Sequence, residues 1–131
     1  MSDLTRLSSG SRFETLAAYS RAVADDCYVH ISGTVGADPE TGAIPEAVSE
    51  QVNNIFRIMG DVLAGFDIGL DAVVRTRVYL TDIEHLMVVA EGLRARFSDC
   101  PPTNTTLICG IPAPGAKVEI EMTARLADTP T

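Results

Sequence analysis

The sequence predicts an α+β domain, a single β-sheet with two helices packed on one of its faces. Three observations carry this. Apolar residues alternate with polar ones in several short runs, the period of half-buried strands, but recur every three or four residues between Ala47 and Leu63. The resulting order, ββ-α-β-α-ββ, groups the helices in the middle, which suits helices on one side of a sheet. At 131 residues, 46% apolar and 21% charged, the chain is one domain, 1–131, large enough to bury a core without staples.

The elements follow in order. A short strand is expected around Leu4 to Leu7. Tyr19 to Ala24 and Cys27 to Ser32 read as strands joined by an Asp25-Asp26 turn, with Val29 and Ile31 alternating against Tyr28, His30 and Ser32. A loop dense in breakers runs from Gly36 to Gly42. Val48, Val52, Ile55, Phe56, Met59, Val62 and Leu63 then form the apolar stripe of a helix, with Gly65 where left-handed backbone closes it. Ala72 to Leu80 reads as a strand whose Val74, Thr76, Val78 and Leu80 oppose Val73, Arg75, Arg77 and Tyr79. Thr81 or Asp82 caps a second helix, Ile83 to Phe97, which Cys100-Pro101-Pro102 stops. Thr105 to Gly110 and Lys117 to Leu126 read as two strands joined by a turn at Pro112 to Gly115. Val118, Ile120 and Met122 face one side of the last strand, Glu119 and Glu121 the other. The sheet face left bare by the helices must meet solvent or another subunit, and symmetric closure is the commonest solution.

Nine arginines and one lysine stand against 18 acidic residues, for a net charge of −8. That balance repels phosphate backbones and anionic membranes, so no nucleic-acid or membrane partner is expected. No apolar run approaches the ~20 residues needed to span a bilayer, and no signal-like segment is read at the start. A soluble cytoplasmic protein is the expectation. Cys27, Cys100 and Cys109 lack CxxC spacing, and His30 and His85 lie far apart, so neither a disulfide framework nor a metal centre is expected. Glycine-rich phosphate loops and GxSxG elbows are missing as well.

Several segments, in order, are similar to those of the YjgF/YER057c/UK114 family, also called the RidA family. They are Tyr19-Ser20-Arg21-Ala22-Val23, Ile31-Ser32-Gly33-Thr34, Asp38-Pro39-Glu40-Thr41-Gly42, Gln51 to Asn54, Val74 to Asp82 and Val118-Glu119-Ile120-Glu121. The resemblance implies a chorismate-mutase-like fold, a homotrimer whose sheets form a central barrel, and clefts between subunits that bind small carboxylate-bearing ligands. It also implies hydrolysis of reactive imines and enamines without metal or cofactor. Members have further been labelled endoribonucleases or translation inhibitors, and a cleft of this kind also suits a non-enzymatic small-molecule sensor.

By the same resemblance, Glu119 matches the glutamate associated with the attacking water. Tyr19 matches a cleft-lining ring, and Ser32 and Gly33 match the segment closing the pocket. The family's carboxylate-gripping arginine falls on Thr103, in Pro101-Pro102-Thr103-Asn104-Thr105, a departure that replaces two charged hydrogen bonds by one neutral one. Thr103 and Thr105 occupy positions of ligand contact. Arg21 shares strand parity with Tyr19 and is a candidate replacement cation. Each residue also has a plain structural reading: strand-forming threonines, a turn at Ser32-Gly33, a solvated Glu119, an interface Tyr19, a salt-bridging Arg21.

Overall fold

A computed structural model describes residues 3–127. Nine elements follow one another: β1 (Thr5–Leu7), α1 (Arg12–Ala17), β2 (Ala22–Ala24), β3 (Tyr28–Val35), α2 (Val48–Gly65), β4 (Val73–Leu80), α3 (Leu86–Phe97), β5 (Thr103–Ile108) and β6 (Val118–Arg125). The strands form one sheet in the order β1-β2-β3-β6-β4-β5. All neighbours are antiparallel except β4 and β5. The two C-terminal strands therefore do not pair with each other. β6 inserts between β3 and β4, and β5 becomes an edge.

The period change read in the sequence has a packing cause. Val52, Ile55, Phe56, Met59, Val62 and Leu63 of α2 are buried against Val29 and Ile31 of β3, Val78 and Leu80 of β4 and Val118, Ile120 and Met122 of β6. Fully burying one such side chain contributes about 1.5–3 kcal/mol. α3 joins the same layer through Val89 and Phe97, whose ring meets Phe56 edge-on at 5.7 Å. Arg96 lies over the other side of this contact, 4.5 Å from the Phe56 ring centre. Both long helices thus cover one face of the sheet, as expected. Among the described residues, no helix is long and apolar enough to cross a membrane.

Two tight approaches fix α2 against the loops. A β-carbon on Gly36 would overlap the backbone of Gln51. Gln51 itself is fully buried; its Nε2 donates to Pro45 O (2.7 Å) and Gly115 O (3.0 Å), and its Oε1 accepts from Lys117 N (2.9 Å).

Several local expectations are corrected. A helix, α1, lies where the polar N-terminal stretch suggested none. Ser11 caps it, its Oγ accepting from Phe13 N at 3.2 Å. Gly65 does not close α2: it is the last helical residue, and the left-handed position falls on Asp67 (φ 61°). A bulge between Val73 and Arg75 reverses the expected facing of the first two residues of β4, burying Val73 and leaving Val74 40% exposed. The second helix begins as a separate 3-10 turn, Ile83–His85, with Asp82 rather than Thr81 accepting from Glu84 N. β5 starts at Thr103, two residues early, because pairing with β4 outlasts what local propensity marks.

Candidate functional site

The sheet face away from the helices carries the polar residues singled out in the sequence. Register places them in rows. One row runs His30, Thr123, Arg75, Thr103; the next holds Glu121, Arg77 and Thr105; the third runs Val35, Glu119, Tyr79, Leu107. An extra residue in β3 interrupts its pairing with β6 between Ile31 and Thr34, so Ser32 and Gly33 together form a bulge opposite Glu121.

Glu119 leans onto that bulge. A β-carbon built on Gly33 would lie 2.6 Å from Glu119 Oε2 and 3.1 Å from its Cδ, so the carboxylate uses space that only glycine leaves. Burial raises the Glu119 pKa above its ordinary value; the nearby Arg21 charge pulls it down and Glu121 pushes it up again.

The strand expected from Tyr19 begins only at Ala22, and Arg21, just before it, lies across from Ser32. Its Nη2 donates to the carbonyls of Ser32 (2.7 Å) and Gly33 (2.9 Å), clamping the bulge on which Glu119 rests. Burial lowers its pKa, opposed by the attraction of Tyr19, Glu14 and Glu119, and it stays a cation. One of its donors, Nε, is buried without a partner. Two donors expected to reach a ligand are engaged elsewhere. Ser32 Oγ donates to Ser20 O at 2.7 Å, and Thr103 Oγ1 donates to Val74 O at 3.0 Å. Both hydroxyls are left with acceptor lone pairs alone.

The unexpected helix α1 positions Tyr19. Ala18, the residue that follows its last turn, is left-handed (φ 57°), and Tyr19 N donates to Glu14 O at 3.0 Å. Glu14 is buried, but bonds from Ser9 and Ser8 and the attraction of Arg21 outweigh burial and hold its carboxyl below the ordinary range. A sequence signal for this helix existed: Ser11-Arg12-Phe13-Glu14 has capping-box spacing. The Tyr79 hydroxyl bonded to Glu121, with Arg77 3.7 Å from the same carboxylate, was not singled out from sequence at all.

One chain brings together Tyr19, Arg21, Ser32, Gly33 and Glu119, but not Thr103 and Thr105. Those two stand two strands and two to four residues away, about 12–16 Å at ordinary sheet spacings. A groove of about 370 Å³ lies elsewhere, between the 36–45 loop and α2, lined by Asp38, Asn53, Asn54 and Arg57 among others. Glu119 therefore stands apart from both threonines and from this groove.

The chain is similar to known proteins over nearly its whole length. Residues 9–126 match the family model described as Endoribonuclease L-PSP. The human protein named 2-iminobutanoate/2-iminopropanoate deaminase is 31% identical over 128 residues, covering 95% of this chain and 93% of the human one. A RutC family protein of Aquifex aeolicus is 33% identical over 109 residues, 81% of this chain and 86% of that protein. Among solved structures, a YjgF/YER057c/UK114 family member of Mycobacterium tuberculosis superposes with a TM-score of 0.85 at 33% identity, covering 95% of this chain and 100% of the other. RidA from an Antarctic Psychrobacter gives 0.78 at 30% identity, covering 82% and 88%. With its sheet order, its bare polar face and this match across nearly its whole length, the chain belongs to the Endoribonuclease L-PSP family, the group that also carries the names YjgF/YER057c/UK114 and RidA.

Proposed function

We propose that this protein binds a small organic compound with a hydrolysable C–N double bond in a cleft between two copies, and that Glu119 acts there as the base. The observation that carries the reading is the Glu119 carboxylate, half-buried on Gly33, with a raised pKa and in the field of Arg21. A carboxylate shifted towards neutrality takes a proton from water more effectively than an ordinary one. The water oxygen bonds to the imine carbon while Glu119 passes the released proton to nitrogen; Glu119 then takes the hydroxyl proton of this carbinolamine and delivers it to the amine, so the C–N bond breaks to leave a carbonyl compound and ammonia. The names of the human and rat relatives support this reaction class. No cofactor enters it.

The second wall of the cleft comes from another copy. β5 is an edge strand, and Leu107 and Ile108 on it are 51% and 54% exposed, which suits an interface rather than solvent. Threefold closure, with β5 of each copy set against the Glu119 half-site of the next, gives every copy one complete cleft. Thr103 and Thr105 then face the ligand from across the junction, Tyr19 packs on its unsaturated plane, and the Ser32–Gly33 bulge closes the floor. Ser32 and Thr103 present acceptors only. Such a cleft favours a ligand offering N–H groups over one carrying a free carboxylate.

Ammonia release is measured from 2-iminopropanoate and from its neutral ester and amide. Turnover of the neutral imines, lost in Glu119→Gln, is the expected result. Preference for the free acid would overturn the specificity. A ligand-induced rise in melting temperature without product from any imine would replace catalysis by a binding role, and sedimentation of a monomer would remove the intersubunit cleft.

A further inference from the structure

The bare sheet face carries a charge that the whole-chain balance hides. Arg6, Arg75, Arg77 and Arg125 project from it, against Glu119 and Glu121 as the acids of its strands. This excess of arginine stands in a chain of net charge −8.

Within that face, Arg75 and Arg77 border a small cavity of about 60 Å³ together with Glu121, Met122 and Thr123. Two residues along a strand span ~6.6 Å, so two long guanidinium side chains on one face converge on anything held between them. Arg77 is only loosely paired, 3.7 Å from Glu121, whose carboxylate also takes the Tyr79 hydroxyl bond. Arg75 has hydroxyl neighbours on both sides, Thr123 on β6 and Thr103 on β5, and among the described residues no carboxylate within ion-pair distance.

We propose that Arg75 and Arg77, with the Thr123 hydroxyl, form a binding site for a small tetrahedral oxyanion of the phosphate or sulfate class. The cavity is small, which suits a compact oxyanion. Guanidinium groups pair with oxyanion oxygens through planar, directional forks. Glu121 opposes the anion and offsets part of the Arg77 charge, so Arg75 is the principal anchor. The site does not use Glu119, but Arg75 and Arg77 pair directly with Thr103 and Thr105, the second wall of the cleft proposed above; phosphate binding retained in Glu119→Gln separates the two readings.

Inorganic phosphate is titrated calorimetrically into the protein at fixed ionic strength, with chloride as the balancing anion. Saturable binding is expected, about tenfold or more weaker in Arg75→Gln, less weakened in Arg77→Gln, and tighter in Glu121→Gln. Sulfate is expected to compete. Indistinguishable heats for phosphate and chloride with the wild-type protein would overturn the proposal, as would wild-type affinity in an Arg75→Gln protein whose melting temperature in chloride shows it folded.

Discussion

Thr103→Arg is expected to turn the cleft towards free carboxylates. In the native protein the Thr103 hydroxyl proton is donated to Val74 O at 3.0 Å, so a ligand meets oxygen lone pairs at this position. An arginine there offers two charge-assisted bonds, about 1.5–3 kcal/mol each, less about 2 kcal/mol of side-chain freedom. Thr103 is exposed, and water and salt weaken charged contacts at such a position. The net gain is therefore set near the low end, about 1–2 kcal/mol, or ~5–30-fold in affinity. Losing the bond to Val74 costs the fold about 0.5–1 kcal/mol. The assay is equilibrium titration with benzoate and pyruvate, carboxylates that need not react, followed by ammonia release from 2-iminopropanoate. Thr103→Arg should bind both anions more tightly and turn over the free imino acid faster, with no gain for its ester. Native protein that holds benzoate as tightly as the variant would refute the reasoning, because the anion would then be gripped by a group other than the residue at 103.

The remaining expectations concern Glu119 and the framework. A carboxyl with a raised folded pKa holds its proton more tightly folded than unfolded, so its stabilisation is present in acid and lost as pH rises from the ordinary glutamate range through the folded value. Glu119→Gln should therefore abolish turnover yet raise the melting temperature at neutral pH, the gain shrinking in acid. Glu14 has the opposite sign: its pKa is lowered, so its stabilisation is present above the unfolded value and lost as pH falls through the folded one. Glu14→Gln should melt lower than the native protein at neutral pH and converge with it in acid. Gln51→Leu leaves two carbonyls and one N–H without their buried partner, and should lose about 2–4 kcal/mol in urea unfolding. Gly36→Ala forces a methyl into the Gln51 backbone and should lose about 1–3 kcal/mol in the same experiment.

Much of the fold was legible because strand and helix periods differ. The stripe from Val52 to Leu63 and the alternation of Val118, Ile120 and Met122 against Glu119 and Glu121 each leave one arrangement that buries the apolar side. The failures share a physical cause. α1 was missed because six residues carry too little periodicity to announce a helix, and its stability rests on Ser11, Ser8 and Ser9 bonding around Glu14. Val73 and Val74 were misfaced because a bulge shifts parity by one residue, and nothing in a β-branched pair marks where the extra residue goes. The pairing of β5 with β4 rather than β6 was invisible because strand order is a non-local choice.

The candidate site divides in the same way. Glu119, Gly33 and Tyr19 could be named from the order of motifs along the chain, and local pattern placed Glu119 on the face away from the core. Only the folded chain decides that Glu119 rests on Gly33, that Arg21 grips the bulge beneath it, and that Thr103 stands about 16 Å off on an edge strand. The charge of the bare face is likewise a tertiary property. Composition sums −8 over the whole chain, whereas sheet register gathers Arg6, Arg75, Arg77 and Arg125 from three separate strands onto one side. Sequence determines which side chains must be buried, because local period and hydrophobicity suffice for that; which polar groups meet depends on contacts between residues far apart in the chain, and only the tertiary structure makes them.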